Sequence, residues 1–380
     1  MIAAAGCLLS GVQRNARRRA AGRGASGRGV TLVELLITIA ILTILAAAIY
    51  GAAGSAMESA RAARTKSTIA KIHGLLMERW ESYETRRLSL KPAIVQQINQ
   101  NFQGLARNRV MSDLRLLARR ELMKLEMPDR WSDVLNAGVP TGNPSSAPAP
   151  TTYFLSQPSP LTQSYYRRYL ATANRVDRDT LLANEAAECL FMTIMSATGD
   201  GEARTLFSEQ DVGDTDGDGA LEFLDGWGQP IRYIRWPAGH VERSTIMSGD
   251  WETDHDPFDV FRRDALPSSL SAIPYGNYPT TAMQRSMQAI QNRNAQAEAA
   301  LAGTPRQYLG AFRLVPLVFS AGPDRRTGLV VAVGFAGPTV ADPYAPTDVE
   351  LNGVALQLGA VYDEDGQIDS DKDNISNHDG

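Results

Sequence analysis

Residues 30–50 constrain this chain more than any other stretch. They read VTLVELLITIAILTILAAAIY, twenty-one residues of which twenty are aliphatic, small, threonine or tyrosine and one, Glu34, is a carboxylate. A helix needs about 20 apolar residues to cross a bilayer, so the segment is long enough to span one. Residues 1–29 hold Arg14, Arg17, Arg18, Arg19, Arg23 and Arg28 and no acid. Excess positive charge stays on the cytoplasmic side, which predicts a segment with its N-terminus inside and its C-terminus outside.

Two plainer readings compete. A secretory signal peptide has an apolar region of roughly 7 to 15 residues ending at a small-residue cleavage site. Here the basic residues run up to the apolar core, although Ala46, Ala47 and Ala48 offer a conventional cut. An uncleaved membrane anchor is the other. Glu34 bears on the choice, because a carboxylate in hydrocarbon costs on the order of 2.5 to 3.5 kcal/mol and calls for a partner. Cleavage after Gly29 would create one: the new α-amine of Val30 lies four residues from Glu34. In an array of packed helices, the amine of one subunit would neutralise the carboxylate of another. The alternative is that Glu34 snorkels to the interface from the helix start.

Through Gly29, Val30, Thr31, Leu32, Val33 and Glu34 and the aliphatic stretch ending ILAAAIY, the chain resembles the type IV prepilin family, which includes pilins and the pseudopilins of type II secretion. Family members usually carry Phe where this chain has Val30. The resemblance implies cleavage by a membrane aspartyl prepilin peptidase and N-methylation of Val30. It also implies extraction of the helix into a filament with other pilin or pseudopilin subunits, on a membrane assembly platform. The motif covers about 30 residues and identifies a class, not a duty.

The remainder is large enough to bury a core, and 380 residues permit one to three domains. Removing a leader with six arginines takes the formal charge from −4 to −10, so nucleic-acid binding is not expected of the mature chain. Of the two cysteines, Cys7 lies in the leader and Cys189 in the apolar run AAECLFMTIM. After processing no intramolecular disulfide is possible, and Cys189 reads as a small core residue.

Beyond the anchor, Ile69, Ile72, Leu75, Leu76, Arg79 and Trp80 fall near i, i+3, i+4 spacing, predicting an amphipathic continuation of the same helix onto a globular head. Residues 92–127 and 165–197 read as further helices, and about 283–302 as a shorter one. Strands are expected at Ile231–Trp236, Arg313–Phe319 and Leu329–Phe335, where β-branched and aromatic residues concentrate. Helices first and strands last predict an α+β class: a long N-terminal transmembrane and amphipathic helix packed on a small antiparallel sheet, with helical insertions, as in type IV pilins. The organisation expected is a leader at 1–29, the transmembrane half of the helix at 30–50, a helical stalk and insertion at 51–137, a Pro/Ser-rich loop at 138–164 and the head at 165–380.

Asp214-Thr215-Asp216-Gly217-Asp218-Gly219-Ala220-Leu221-Glu222-Phe223-Leu224-Asp225 carries the sharpest chemistry. Calcium takes six to eight oxygens, and carboxylates at alternate positions, a turn-forming Gly and an acid at position twelve can supply them. Asp214, Asp216, Asp218, the Ala220 carbonyl and Asp225 fit that register, with Glu222 acting through water. A metal-free acidic turn is the plain alternative. The tail from Asp363 to Asp379 holds six Asp and Glu364 against Lys372. It reads either as a disordered acidic tail or as a second calcium site built from Asp363, Asp365, Asp369, Asp371 and Asp373.

Asp225-Gly226-Trp227-Gly228-Gln229-Pro230 looks like the D-x-W-G-x-P turn of major pseudopilins, and Ser320-Ala321-Gly322-Pro323-Asp324 like their S-x-G-x-D turn. Trp227, Gly228, Pro230, Gly322 and Asp324 are thus structural turn residues, with Trp227 covering a sheet edge. The blocks between Arg86 and Gln163 and from Asp254 to Ala302 enlarge the head beyond the compact pseudopilin pattern. The histidines His73, His240, His255 and His378 are scattered, and there is no P-loop, GxSxG elbow or HExxH, so no enzyme is expected. The leading expectation is a pseudopilin-like subunit in the bacterial inner membrane, its leader cytoplasmic and its calcium-stabilised head in the periplasm or on a filament. A pilin or minor pilin for adhesion, motility or DNA uptake is the alternative, and a membrane-anchored hydrolase the third.

Overall fold

From Leu32 the aliphatic run does what its composition dictates and forms helix α1 (Leu32–Thr85). The computed structural model describes residues 30–196, 202–250, 253–264, 273–301, 311–331, 342–351, 354–362 and 371–379. The chain divides into two compact units, Met1–Ala56 and Met57–Gly380. In the first, the described residues are the apolar part of α1, whose large side chains from Leu32 to Tyr50 are exposed. Among the described residues, α1 is the one helix long and apolar enough to cross a membrane.

In the second unit α1 becomes amphipathic. Thr65, Thr68, Ile69, Ile72, Leu76, Trp80 and Tyr83 are buried, a stripe at three- and four-residue intervals that faces a core. Leu75 and Arg79, expected on that face, lie at its half-buried margin. The following helices are α2 (Pro92–Asn101), α3 (Gly104–Glu126), α4 (Trp131–Leu135), α5 (Pro160–Ala173), α6 (Arg178–Ala183), α7 (Glu185–Met195), α8 (Glu202–Leu206) and α9 (Thr281–Leu301).

Strands β3 (Arg232–Ile234), β4 (Leu317–Ser320) and β7 (Ile375–Ser376) make an antiparallel sheet in the order β3-β4-β7, with Tyr233 opposite Val318 and Ser320 opposite Ile375. Two further antiparallel pairs are β1 (Val212–Gly213) with β2 (Glu222–Phe223), and β5 (Pro346–Leu351) with β6 (Val354–Gln357). The fold is α+β and pilin-like: a long N-terminal apolar helix, small antiparallel sheets and additional helices.

Several expectations change in detail. The helix expected over 92–127 breaks at Phe102 and Gln103, which are extended, before Gly104 at φ +55; a left-handed backbone there favours glycine. The helix expected over 165–197 is three helices. Ser159 caps α5 by accepting from the Thr162 N–H, and Asp177 caps α6 by accepting from the Thr180 N–H, so the polar Asn174–Asp177 segment is a turn. Leu329 makes only an isolated bridge to Val361, and most of that expected strand lies outside the described residues. The Pro-rich segment is not a loose connector: the buried Glu121 carboxylate accepts the backbone N–H groups of Tyr153, Phe154 and Leu155 at 2.5, 2.9 and 2.9 Å.

α3 carries buried charge throughout. Asp113, Arg120, Glu121, Lys124 and Glu126 are all at most 2% exposed. Arg120 pairs with Asp256 and Asp264, Arg263 with Asp113, and Arg293 with Asp264. Ion pairs therefore fasten the 256–264 segment to α3, and Arg293 of α9 to that segment.

Candidate functional site

Gly29 lies outside the described residues, and Val30 is exposed just before α1. Glu34 is tied into the helix start: its Oε2 accepts from the Thr31 N–H at 2.9 Å and from the Thr31 hydroxyl at 3.0 Å, while Thr31 Oγ1 accepts from the Glu34 N–H at 3.2 Å. This reciprocal capping box satisfies two of the helix's orphan donors. Sequence reasoning passed over it, although the T-x-x-E spacing of Thr31 and Glu34 is its usual signature.

In the acidic loop between β1 and β2, Asp214 Oδ1 and Oδ2 accept from the N–H groups of Gly217 and Gly219 at 2.7 and 3.0 Å, and Asp218 Oδ1 accepts from that of Ala220 at 2.7 Å. Glu222 Oε2 accepts from the Thr215 N–H at 3.1 Å. The structure gathers Asp214, Asp216 and Asp218, with one carboxylate oxygen of each within 4.8 Å of the others. A second group sharing Asp216 consists of Asp216, Glu222 and Glu188 of α7, again within 4.8 Å. Glu222, expected to act through water, lies in this second group. Ala220 sits on the same loop, half-buried, with its N–H engaged by Asp218.

Asp225 belongs to neither group. Its Oδ1 accepts from the N–H groups of Trp227 and Gln229, both at 2.8 Å, and its Oδ2 from the Ser320 hydroxyl at 2.7 Å. The position-twelve acid therefore holds the next turn, for which one fewer methylene than Glu is the right reach.

Glu188 and Asn184 are the residues that sequence reasoning missed. Asn184, preceding α7, donates from Nδ2 to Thr215 Oγ1 at 3.0 Å and Asp216 Oδ2 at 3.2 Å. Glu188 Oε2 accepts from the Trp131 indole N–H at 2.8 Å. The available signal was a carboxylate inside the apolar run around Cys189, which is itself buried. Glu188 Oε1 and Asp218 Oδ2 are buried without a hydrogen-bond partner, in residues only 2% and 1% exposed. Burial first, then the fields of Asp218, Asp216 and Glu222, push the Glu188 carboxyl up to about 10. Burial, opposed by the Thr215 N–H and reinforced by the neighbouring aspartates, pushes Glu222 up to about 7; burial also raises Asp218.

The two turns expected to be structural meet through the Asp225–Ser320 bond. Trp227 is half-buried and donates its indole N–H to Glu58 Oε2 at 2.7 Å, while the Gly226 N–H donates to Thr65 Oγ1 at 2.8 Å. A Cβ on Gly226 would lie 2.4 Å from the Arg61 carbonyl, so only glycine allows this approach to α1. Gly228 and Gly322 have φ +78 and +67, and Pro230 bridges to Leu224. Asp324 accepts from the Arg326 N–H at 2.7 Å and donates its own N–H to Asp373 Oδ2 at 3.3 Å.

Of the tail carboxylates, Asp363, Asp365 and Asp369 lie outside the described residues. Asp371 pairs with Arg243 at 3.1 Å, and Asp373 receives Asp324. The histidines are less scattered than their numbering suggests. His378 Nδ1 is 2.8 Å from Ser244 Oγ, its ring lies 5.5 Å from that of His240, and His73 Nδ1 is 2.8 Å from Asn377 Nδ2. The flanks of His255 are taken by ion pairs of Asp254 with Arg313 and Asp256 with Arg120.

Compared with known families, residues 25–50 match the prokaryotic N-terminal methylation motif, the signal of type IV pilin-type prepilins. No curated protein and no solved structure is matched by the chain. The motif implies processing by a prepilin peptidase and assembly with pilin subunits, and with α1 it indicates membrane association.

Proposed function

We propose that this chain is a pseudopilin-like structural subunit of a type II secretion or related filament, processed after Gly29 and assembled through its N-terminal helix. The observation that carries the reading is the methylation motif at residues 25–50, seated on an apolar helix with one carboxylate at its start. Before assembly the helix spans the inner membrane once, with the leader in the cytoplasm and the head outside. Neighbouring subunits then take the place of lipid around Leu32–Tyr50, and the Val30 amine of one subunit meets Glu34 of the next. The work is polymerisation rather than catalysis.

Support for the pseudopilin branch comes from the D-x-W-G-x-P and S-x-G-x-D turns, which are joined by the Asp225–Ser320 bond. Calcium is the cation that the Asp214–Glu222 loop would take, since its donors are all oxygen, and it would stabilise the head. Deletion of the gene tests the role: loss of secreted enzymes from the medium, with surface fibres intact, is expected. Loss of fibres or adhesion with secretion intact would assign the chain to the pilins instead.

A further inference from the structure

The loop between β1 and β2 is not a self-contained ligand loop. Glu188, on α7, brings a carboxylate oxygen within 4.8 Å of those of Asp216 and Glu222. Five carboxylates, from Glu188, Asp214, Asp216, Asp218 and Glu222, thus converge from two elements. Among the described residues no lysine or arginine forms an ion pair with any of them. The Arg232 guanidinium donates to Asn184 Oδ1 at 3.3 Å and interacts at longer range with the Glu222 carboxylate, and that of Arg175 lies beside Gly219.

Three of the five, Glu188, Asp218 and Glu222, are almost wholly buried, and two of these keep an oxygen without a hydrogen-bond partner: Glu188 Oε1 and Asp218 Oδ2. These two side chains adjoin each other. Two acceptors in contact need a proton or a cation between them, and a buried, unpartnered charge is costly. Elsewhere in the head, buried carboxylates meet arginines, as Asp264 and Asp113 do. Here a proton shared between Glu188 and Asp218 or a cation from outside the chain fills that place, and Glu188 also lines a surface cleft with Trp131, Arg168, Arg175 and Leu221.

We infer that a calcium ion bridges α7 to the β1–β2 loop, ligated by Glu188 together with Asp216, Asp218 and Glu222, and that Asp225 is not a ligand. The inference rests on the calcium reading of the loop and changes its consequence. A loop that closes on itself would stabilise only the turn, whereas a ligand from α7 clamps the turn to the helix that carries Trp131 on its Glu188 side chain. An all-oxygen set of carboxylates suits calcium, which takes six to eight oxygen ligands at about 2.3 to 2.6 Å.

The Trp131 indole, 2.8 Å from Glu188 Oε2, makes the position readable. The full-length chain in detergent is titrated with Tb3+ under tryptophan excitation, and the bound Tb3+ is then displaced with Ca2+. Sensitised emission that calcium abolishes is expected, with Trp131→Phe losing most of the emission while still binding calcium. Glu188→Gln and Glu222→Gln, each checked for retained fold by circular dichroism, should weaken calcium at least tenfold. If the unaltered chain binds calcium and a folded Glu188→Gln binds it equally well, the clamp is wrong and the loop alone holds the ion. If the unaltered chain binds neither ion, the calcium reading falls and the clamp with it.

Discussion

One substitution can separate the observed role of Glu34 from its proposed one. Its carboxylate caps α1 through Thr31, and its charge is available to the Val30 amine of a neighbouring subunit. Glutamine can still accept in a capping box but carries no charge. We predict that Glu34→Gln is cleaved normally and yet assembles as poorly as Glu34→Ala; normal filament yield from Glu34→Gln, measured in sheared surface or membrane fractions, would leave the cap as its sole role. A second prediction concerns His378. Burial, with His240 beside it, holds its imidazole down to about 3 from an ordinary 6.5. The folded state therefore stays neutral while the unfolded state takes up a proton. Stability from this group is full above pH 6.5 and is lost as pH falls towards 3, by about 1.4 kcal/mol per pH unit. Other groups titrate too, including His240, also lowered, and Glu185, raised to about 8, so the comparison must be differential. Denaturant unfolding of His378→Gln should lose less stability than the unaltered chain between pH 6.5 and 4.5; parallel curves would contradict the assignment. The methylation motif at residues 25–50 and the turn glycines Gly228 and Gly322 were legible because their chemistry is local. Asp225 was not, because its Ser320 partner is 95 residues away and an Asp in an Asp-rich run carries no mark of which neighbour it will serve.

Among the elements, α1 could be read from its periodicity, whereas for α3, expected as part of a helix over 92–127, the burial could not. GLARNRVMSDLRLLARRELMKLE looks like a solvated helix by composition, since charged side chains are seldom fully buried unless paired. It is central because its partners lie on a distant block: Arg120 with Asp256 and Asp264, Asp113 with Arg263 and the Tyr278 hydroxyl. Removing one member of such a set strands the others in low dielectric, at about 3 to 5 kcal/mol. Arg120→Ala should therefore destabilise the head by about that much in denaturant unfolding, with the 254–264 segment becoming protease-sensitive. A loss below about 1 kcal/mol, as for a surface pair, would show that the network does not hold the insertion. The α7 helix teaches the same lesson on a smaller scale. Its apolar run was visible, but the partners of Glu188 lie on a loop nearly thirty residues on, and only the fold brings them together.

For the whole molecule, a 26-residue prepilin-type methylation signal sits ahead of a far larger head. The three-stranded sheet β3-β4-β7, the docked turns and the amphipathic half of α1 give the pilin-like frame. The helical blocks before and after the acidic loop are packed into its core rather than appended to it, as the buried Trp131, Tyr165 and Met283 attest. All of this serves a filament only if the chain is processed as its first residues imply. Mass spectrometry of the mature N-terminus from native membranes tests that most directly. A chain beginning at N-methyl-Val30 is expected, whereas an intact leader or a cut near Ala48 would overturn the filament reading and point to an ordinary anchored or secreted protein.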